Sequence, residues 1–468
     1  MTNTALLITA KNPISPIEII GKMPLISHSI TKLPQVSRLI ILTDENKNYL
    51  LDYVNCAHPD KKITIHSISQ DPREDIVLDQ ELVKIENEFK VPFFIINSSQ
   101  FPIDDLFGGN ENWCSESVQH VYDFNNFWRE IKEGNSVNRI VEKYKKRKVA
   151  YFDISTNEKL VRAKEIYKKN DEEYDFSKPD EAIYFIKDRV VKFFSNEKII
   201  QSRAKRAKLL NGAVPNLDFV GRQFYSYKLV PGKTMYNSLE PKLPTKFFNW
   251  CTKHLWNSQE LHLNPSQQSE FFEACIKFYK EKTLERINLY WENSGQEDSI
   301  STVNQIETPK LSELISKINW DYVAHGEASR FHGDLQFDNV IYSPNYKNNF
   351  VLLDWRQDFA GLIEYGDVYY DLAKIYGGLI IPYNSIKNNN FTFMQDGTSV
   401  KIKIDPVNYL DEARKEFRSF INENNYDRQK IQLITGIIFI NMSPLHTKPF
   451  NHLLHHLGKL ILTNVIYA

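Results

Sequence analysis

The amino-acid sequence predicts an α/β domain over residues 1–172, followed by an α+β, two-lobed domain over residues 180–468. Length is the first observation: 468 residues is roughly two to three times the usual domain size. The second is the set of apolar runs Ala5–Ala10, Arg38–Thr43 and Val91–Asn97, separated by polar periodic segments. Such runs read as buried parallel strands. The third is a change of pattern after the charged stretch Lys164–Asp180, which reads as a helix end and a linker. Beyond it a small strand-rich lobe is expected over 180–232, with a hairpin at Ala182–Phe194, a basic helix at Glu197–Leu210 and a strand pair through Phe219–Val230. A helical lobe carrying polar loops is expected over 233–468. Its pattern is helical from Pro244 to about Ser329 (Lys246–His262, Ser269–Trp291) and again at Asp411–Asn424, Asp427–Met442 and His452–Ile466.

Composition narrows the function. Lys+Arg 58 against Asp+Glu 59 gives a net charge of -1, which argues against nucleic acid or an anionic membrane as the main partner. The 29 Phe and 24 Tyr are scattered rather than arranged as a stacking surface. Cys56, Cys114, Cys251 and Cys275 lack any CxxC or Cys/His ligand spacing and read as reduced thiols. No basic n-region with a long apolar run opens the sequence, and no stretch of about 18 apolar residues occurs. A cytoplasmic protein without an integral membrane segment is expected.

The strongest chemical signal is Phe331-His-Gly-Asp-Leu-Gln-Phe-Asp-Asn339, followed by Val351-Leu-Leu-Asp-Trp355. Phosphoryl transfer asks a protein mainly to position groups and neutralise charge. It needs a carboxylate to orient the attacking hydroxyl and hard oxygen ligands for Mg²⁺. Asp334 and Asn339 are five apart, the separation of base and metal amide in the protein-kinase catalytic loop. Asp354 comes 20 residues after Asp334, at the end of an apolar strand, where a second metal ligand would complete the set. A lone loop aspartate would more often be a cap; the combined pattern is far more specific.

These residues resemble the aminoglycoside phosphotransferase and choline kinase group, whose HGDLxxxN…hhDW signature they match over a region of roughly 180–468. The resemblance implies a bilobal protein-kinase-like fold, Asp334 as catalytic base, and Asn339 with Asp354 as Mg²⁺ ligands. His332 and Gly333 would shape the loop. In Tyr365-Gly-Asp-Val-Tyr-Tyr-Asp-Leu-Ala373, Asp367 would cap a helix and Asp371 would hold the catalytic loop. Lys192, in the strand Val190-Val-Lys-Phe-Phe194, would reach the α- and β-phosphates of ATP; the alternative is a solvent-facing strand lysine. Its usual glutamate partner is missing, since Gln201–Leu210 contains no acid and Glu197 is the only carboxylate nearby. Phe224–Gly232 has the form of a hinge strand, in which Tyr227, Lys228 and Val230 would read adenine through the backbone. Around the acceptor, Asp358 and Glu364 would suit a cation and Arg356 an anion, and each could equally bond within the protein. His446, His452, His455 and His456 have no acidic neighbour, which weighs against a metal site.

The first domain resembles a shortened sugar-nucleotide nucleotidyltransferase, through the strand Leu6–Ala10, the element Gly21-Lys-Met-Pro-Leu-Ile26, the strand Leu39–Thr43 and Tyr151-Phe-Asp-Ile-Ser-Thr156. No GxGxR lies between Ala10 and Gly21, and Asn97-Ser98-Ser99 stands where the family has a metal-binding aspartate. A degenerate domain kept for packing, self-association or binding a sugar-like ligand is therefore expected, with Asp153 a turn cap. Fusions of this kind resemble proteins of bacterial capsule and lipopolysaccharide assembly. The sequence thus predicts an ATP- and Mg²⁺-dependent kinase acting on a hydroxyl of a small-molecule acceptor (a sugar, polyol or amino alcohol). The alternatives are a non-catalytic nucleotide-binding protein and a bifunctional kinase-nucleotidyltransferase.

Overall fold

A computed structural model describes residues 4–10, 14–44, 47–68, 75–89, 91–97, 99–167, 180–256, 261–344, 348–388 and 390–467. Most of the expected linker, and Ser98, lie outside them. The described residues form two compact units: 4–167 with 180–200 and 217–229, and 201–216 with 230–467. The four strands expected as a small lobe thus pack with the N-terminal domain.

The first unit is built on a seven-stranded sheet in the order Lys145–Lys146, Trp113–Cys114, Val118–Val121, Phe93–Asn97, Thr4–Ile8, Arg38–Thr43, Lys62–Ser67. The last four are mutually parallel, and Val118–Val121 runs antiparallel to Phe93–Asn97. Thr4–Ile8 and Phe93–Asn97 are buried along almost their whole length, as expected of strands covered on both faces. The chain order reverses between these two strands, which is where α/β sheets place ligands.

A second sheet, in the order Glu181–Ile186, Arg189–Phe194, Phe224–Lys228, Leu217–Val220, is antiparallel throughout. It shares one core with the first sheet: Tyr184, Ile186, Val191 and Phe224 cluster with Leu7, Leu39 and Phe94. Helix α1 (Lys47–Ala57) joins them. Its Tyr53 packs edge-on to Tyr184 and Phe224, and the Cys56 carbonyl accepts from Ser226 Oγ at 2.9 Å. Asp52 accepts from the backbone N–H groups of Arg222 and Gln223 at 3.0 Å. A Cβ on Gly221 would lie 1.7 Å from the Asp52 carboxylate, so that turn requires glycine.

The second unit is mainly helical. Asn264 caps the helix Pro265–Ile276 in a capping box with Gln267. One π turn, Lys277–Glu281, leads into a further helix (Lys282–Ser294) that ends on left-handed Gly295. The helices Arg428–Met442 and Phe450–Ile466 meet closely, because a Cβ on Gly458 would stand 3.1 Å from the Gly436 carbonyl. The helical expectation for 244–329 misses a hairpin, Ser301–Val303 with Ile306–Thr308. Asn304 and Gln305 form its two-residue turn with φ of 48° and 72°, so both sit in the left-handed region that such hairpins need. The hairpin pairs with Ser399–Ile404, a long-range contact that helical periodicity cannot reveal. Among the described residues no helix is long and apolar enough to cross a membrane.

Candidate active site

In the second unit, the segment Phe331–Asn339 follows the strand Ala328–Ser329, which pairs antiparallel with Gly366–Asp367. Gly333 has φ +88°, and a Cβ there would lie 2.5 Å from Arg356 Cβ and 2.9 Å from the Phe331 ring. Both conformation and space demand glycine at that position. Asn339 donates Nδ2 to the Asp334 carbonyl (2.9 Å) and to its Oδ2 (3.1 Å), leaving the amide oxygen for another partner. The strands Val340–Tyr342 and Phe350–Leu352 form a hairpin, after which Leu353 N–H bonds the Asn339 carbonyl at 2.7 Å. Asp354 is thereby brought beside the loop, with a left-handed φ of 60°. Its negative charge is felt at both His332 and Asp334.

Helix α3 (Val368–Ile380) supplies the support. Asp367 caps it through Tyr369 N–H and also accepts from Glu327 N–H (2.9 Å) and Tyr279 Oη (2.8 Å). Asp371 is fully buried and accepts from the backbone N–H groups of His332 and Gly333, both at 2.7 Å, and from Trp256 Nε1 at 3.1 Å. Burial pushes both aspartates up to about 6, against these hydrogen bonds. His332 is pushed down to about 4, chiefly by burial, so its ring is neutral and Nδ1 accepts from Asp334 N–H at 3.2 Å.

Three basic residues at this site carry no signal of their own in the sequence. Lys374 Nζ lies 2.6 Å from Asp334 Oδ1. Burial pushes the Asp334 carboxyl up, but the Lys374 ammonium, by charge and hydrogen bond, outweighs it and leaves the pKa below its usual value. Lys374 follows Asp371 by three residues on one helix, so its placement on the same face was legible from helical spacing. Arg206 belongs to helix α2 (Glu197–Leu209), is 1% exposed, and donates to the carbonyls of Phe331 and Arg356. Its guanidinium also sits 4.0 Å from the Phe331 ring centroid. Arg203 on the same helix approaches Asp354 at 4.0 Å, and its carbonyl accepts from Trp355 Nε1. Beyond Glu197 this helix carries no acid, and its Arg206 holds loop carbonyls.

The structure brings together His332, Asp334, Asn339, Asp354, Arg356, Asp367 and Asp371. Asp358 folds back on its own turn, where Oδ1 accepts from Gly361 N–H at 3.0 Å, and Glu364 is exposed. Lys192, Tyr227 and Lys228 lie in the first unit, and Val230 follows them in the second. Lys192 is 5% exposed, paired across the sheet with Ile183 and Tyr225, so it is not a solvent-facing lysine. Tyr227 has strand neighbours on both sides (Val190 and Leu217), whereas Lys228 is paired only with Arg189. Asp153 accepts from Ser155 N–H (2.9 Å) and pairs with Lys159 (2.6 Å), and Asn97 accepts from Ser99. His452 bonds Tyr290 Oη at 2.7 Å, His455 stacks on the Tyr290 ring at 4.3 Å, and both are buried core groups. Among the described residues, no three His, Cys, Asp or Glu side chains gather as a metal cluster. The Asn339–Asp354 pair fits a cation that draws its remaining ligands from phosphates and water, as Mg²⁺ does.

No family profile and no curated protein matches the chain. Among solved structures it is similar to an ethanolamine kinase from Plasmodium vivax (14% identity, 59% of this chain and 75% of that one, TM-score 0.33). A candidate fructosamine-3-kinase from Thermobifida fusca covers more (13% identity, 62% of this chain and 92% of that one, TM-score 0.39). Similarity extends to a candidate glucose-1-phosphate thymidylyltransferase from Bacillus anthracis (14% identity, 38% of this chain and 98% of that one, TM-score 0.29). The chain itself consists of an α/β unit and a mainly helical unit.

Proposed function

We propose that the protein is an ATP- and Mg²⁺-dependent phosphotransferase acting on a hydroxyl group of a small, soluble acceptor. The observation that carries this reading is the loop in which Asn339 ties back to Asp334 while the backbone of Leu353 delivers Asp354 beside it. Asp334, kept ionised by Lys374, orients the acceptor hydroxyl and takes its proton as the new O–P bond forms and the β,γ-bridging bond breaks. Asn339 and Asp354 hold the magnesium ion, which when bound neutralises charge on the triphosphate. Lys192 holds the α- and β-phosphates, and the backbone at Tyr227, Lys228 and Val230 receives the base. Asp371, Asp367 and Arg206 keep the loop in shape. The order of the two domains supports a place in surface-polysaccharide assembly, in the cytoplasm, with the N-terminal domain as scaffold and self-association surface.

A non-catalytic nucleotide-binding protein is the second reading, favoured by the absence of any acid in α2 after Glu197. Nucleotidyl transfer by the first domain is disfavoured, because Asp153 and Asn97 are engaged in turns. Thermal-shift titration with ATP, with and without Mg²⁺, tests the binding half. Mg²⁺ should strengthen ATP binding to the native protein and not to Asp354→Ala. Equal Mg²⁺ dependence in the two proteins would remove Asp354 from the site.

A further inference from the structure

Within the second unit, the side of the catalytic loop toward the helix Lys282–Ser294 gathers several basic side chains. Lys282 and Arg286 are one turn apart on that helix, and both are half-buried. Lys282 Nζ lies 4.2 Å from the Phe278 ring centroid, and the Arg356 guanidinium lies 4.8 Å from the same centroid. One buried phenyl ring therefore carries two positive groups. The stem of Arg356 packs against Gly333, the residue before Asp334, and Lys374 stands 2.6 Å from Asp334 itself. Among the described residues Lys282, Arg286 and Arg356 form no ion pair. The carboxylates that act on them are Asp358, whose Oδ1 accepts from Gly361, and Glu285, which is exposed. Burial, then Arg356, Arg286 and Lys374, pull Lys282 down to about 6. Like charges held this close destabilise a fold unless something anionic joins them.

We propose that Lys282, Arg286 and Arg356 bind an anionic group on the acceptor, so that the substrate is a phosphorylated or carboxylated polyol or sugar and not an amino alcohol. This rests on the phosphotransferase reading of Asp334 and names the acceptor class of the same site. A carboxylate or phosphate there would neutralise the cluster and leave a neighbouring hydroxyl for Asp334. A cationic acceptor would meet the Arg286 and Arg356 guanidiniums.

The test separates binding from turnover. Isothermal titration of the full chain with glycerol 3-phosphate, D-glycerate, glycerol and choline should show binding of one or both anions, and of neither neutral glycerol nor choline. Lys282→Met and Arg286→Gln should each weaken the anion by about tenfold, the value of one charge-assisted contact, while leaving ATP affinity unchanged. Lys282→Met should also melt no lower than the native protein, since it replaces a largely buried amine by an apolar side chain, so lost binding cannot be put down to misfolding. Glycerol 3-phosphate against D-glycerate decides between phosphate and carboxylate. Absence of binding by both anions overturns the proposal whatever the ATP turnover, and so does a loss of ATP affinity equal to the loss of anion affinity. Anion binding without ADP formation would instead leave the site standing and remove the kinase reading.

Discussion

Replacing Asp371 by alanine strips the catalytic loop of its anchor. Two backbone N–H groups at 2.7 Å and the Trp256 indole at 3.1 Å lose their acceptor, and Arg206 loses the carboxylate that does most to offset its burial. Truncating one member of a buried, hydrogen-bonded charge network costs roughly 3–5 kcal/mol, because the remaining groups stay desolvated. For a unit of this size that corresponds to a fall in Tm of about 10 °C. Asp371→Asn keeps one acceptor oxygen and should lose about half as much. Urea unfolding monitored by near-ultraviolet circular dichroism, which reports Trp256 and its aromatic neighbours, measures both. A loss below about 1 kcal/mol for Asp371→Ala would refute the anchoring role.

Stability should also depend on pH through the same carboxyl. Its folded pKa of about 6 lies above the ordinary carboxylate range, so its stabilising contribution is complete below the unfolded pKa and is lost as pH rises through 6. Between pH 7 and pH 5 the native protein should gain roughly 1 kcal/mol relative to Asp371→Asn, and equal slopes in paired denaturation curves would contradict this. Lys374→Met removes the ammonium that offsets burial at Asp334, so kcat should fall about 100-fold or more and the acidic limb of the kcat/KM profile should move to higher pH. An unmoved limb would mean that Lys374 does not set the ionisation of Asp334. In the first unit, Asp52→Ala orphans the turn at Arg222 and Gln223 and should destabilise by about 1–2 kcal/mol, with thermal unfolding of the purified chain as the check.

What could be read from the sequence was whatever lies close together along the chain. Asp334, Asn339 and Asp354 share one short stretch, and residue spacing alone places them on neighbouring loops. The parallel strands Arg38–Thr43 and Phe93–Asn97 announce themselves as apolar runs because both faces are covered. Side chains carried in by distant helices were harder to see. Arg206 reaches the loop from a helix some 125 residues earlier, and a basic helix looks in sequence like any solvated one. Lys282 and Arg286 belong to an amphipathic helix whose charges read as surface until Phe278 and Arg356 are seen beside them. The grouping of Glu181–Lys228 strands with the N-terminal sheet depends on Tyr53, Tyr184 and Phe224 meeting in one core, and periodicity carries no information on which sheet a buried aromatic will find.

The most direct measurement follows the γ-phosphoryl group itself. With γ-labelled ATP, Mg²⁺ and a panel of anionic, neutral and cationic acceptors, the native chain should form a labelled small-molecule product together with ADP. Asp334→Asn, which keeps the shape of the loop and removes the base, should reduce that transfer at least about 100-fold. Transfer by Asp334→Asn at the native rate would contradict the placement of the chemistry at this carboxylate.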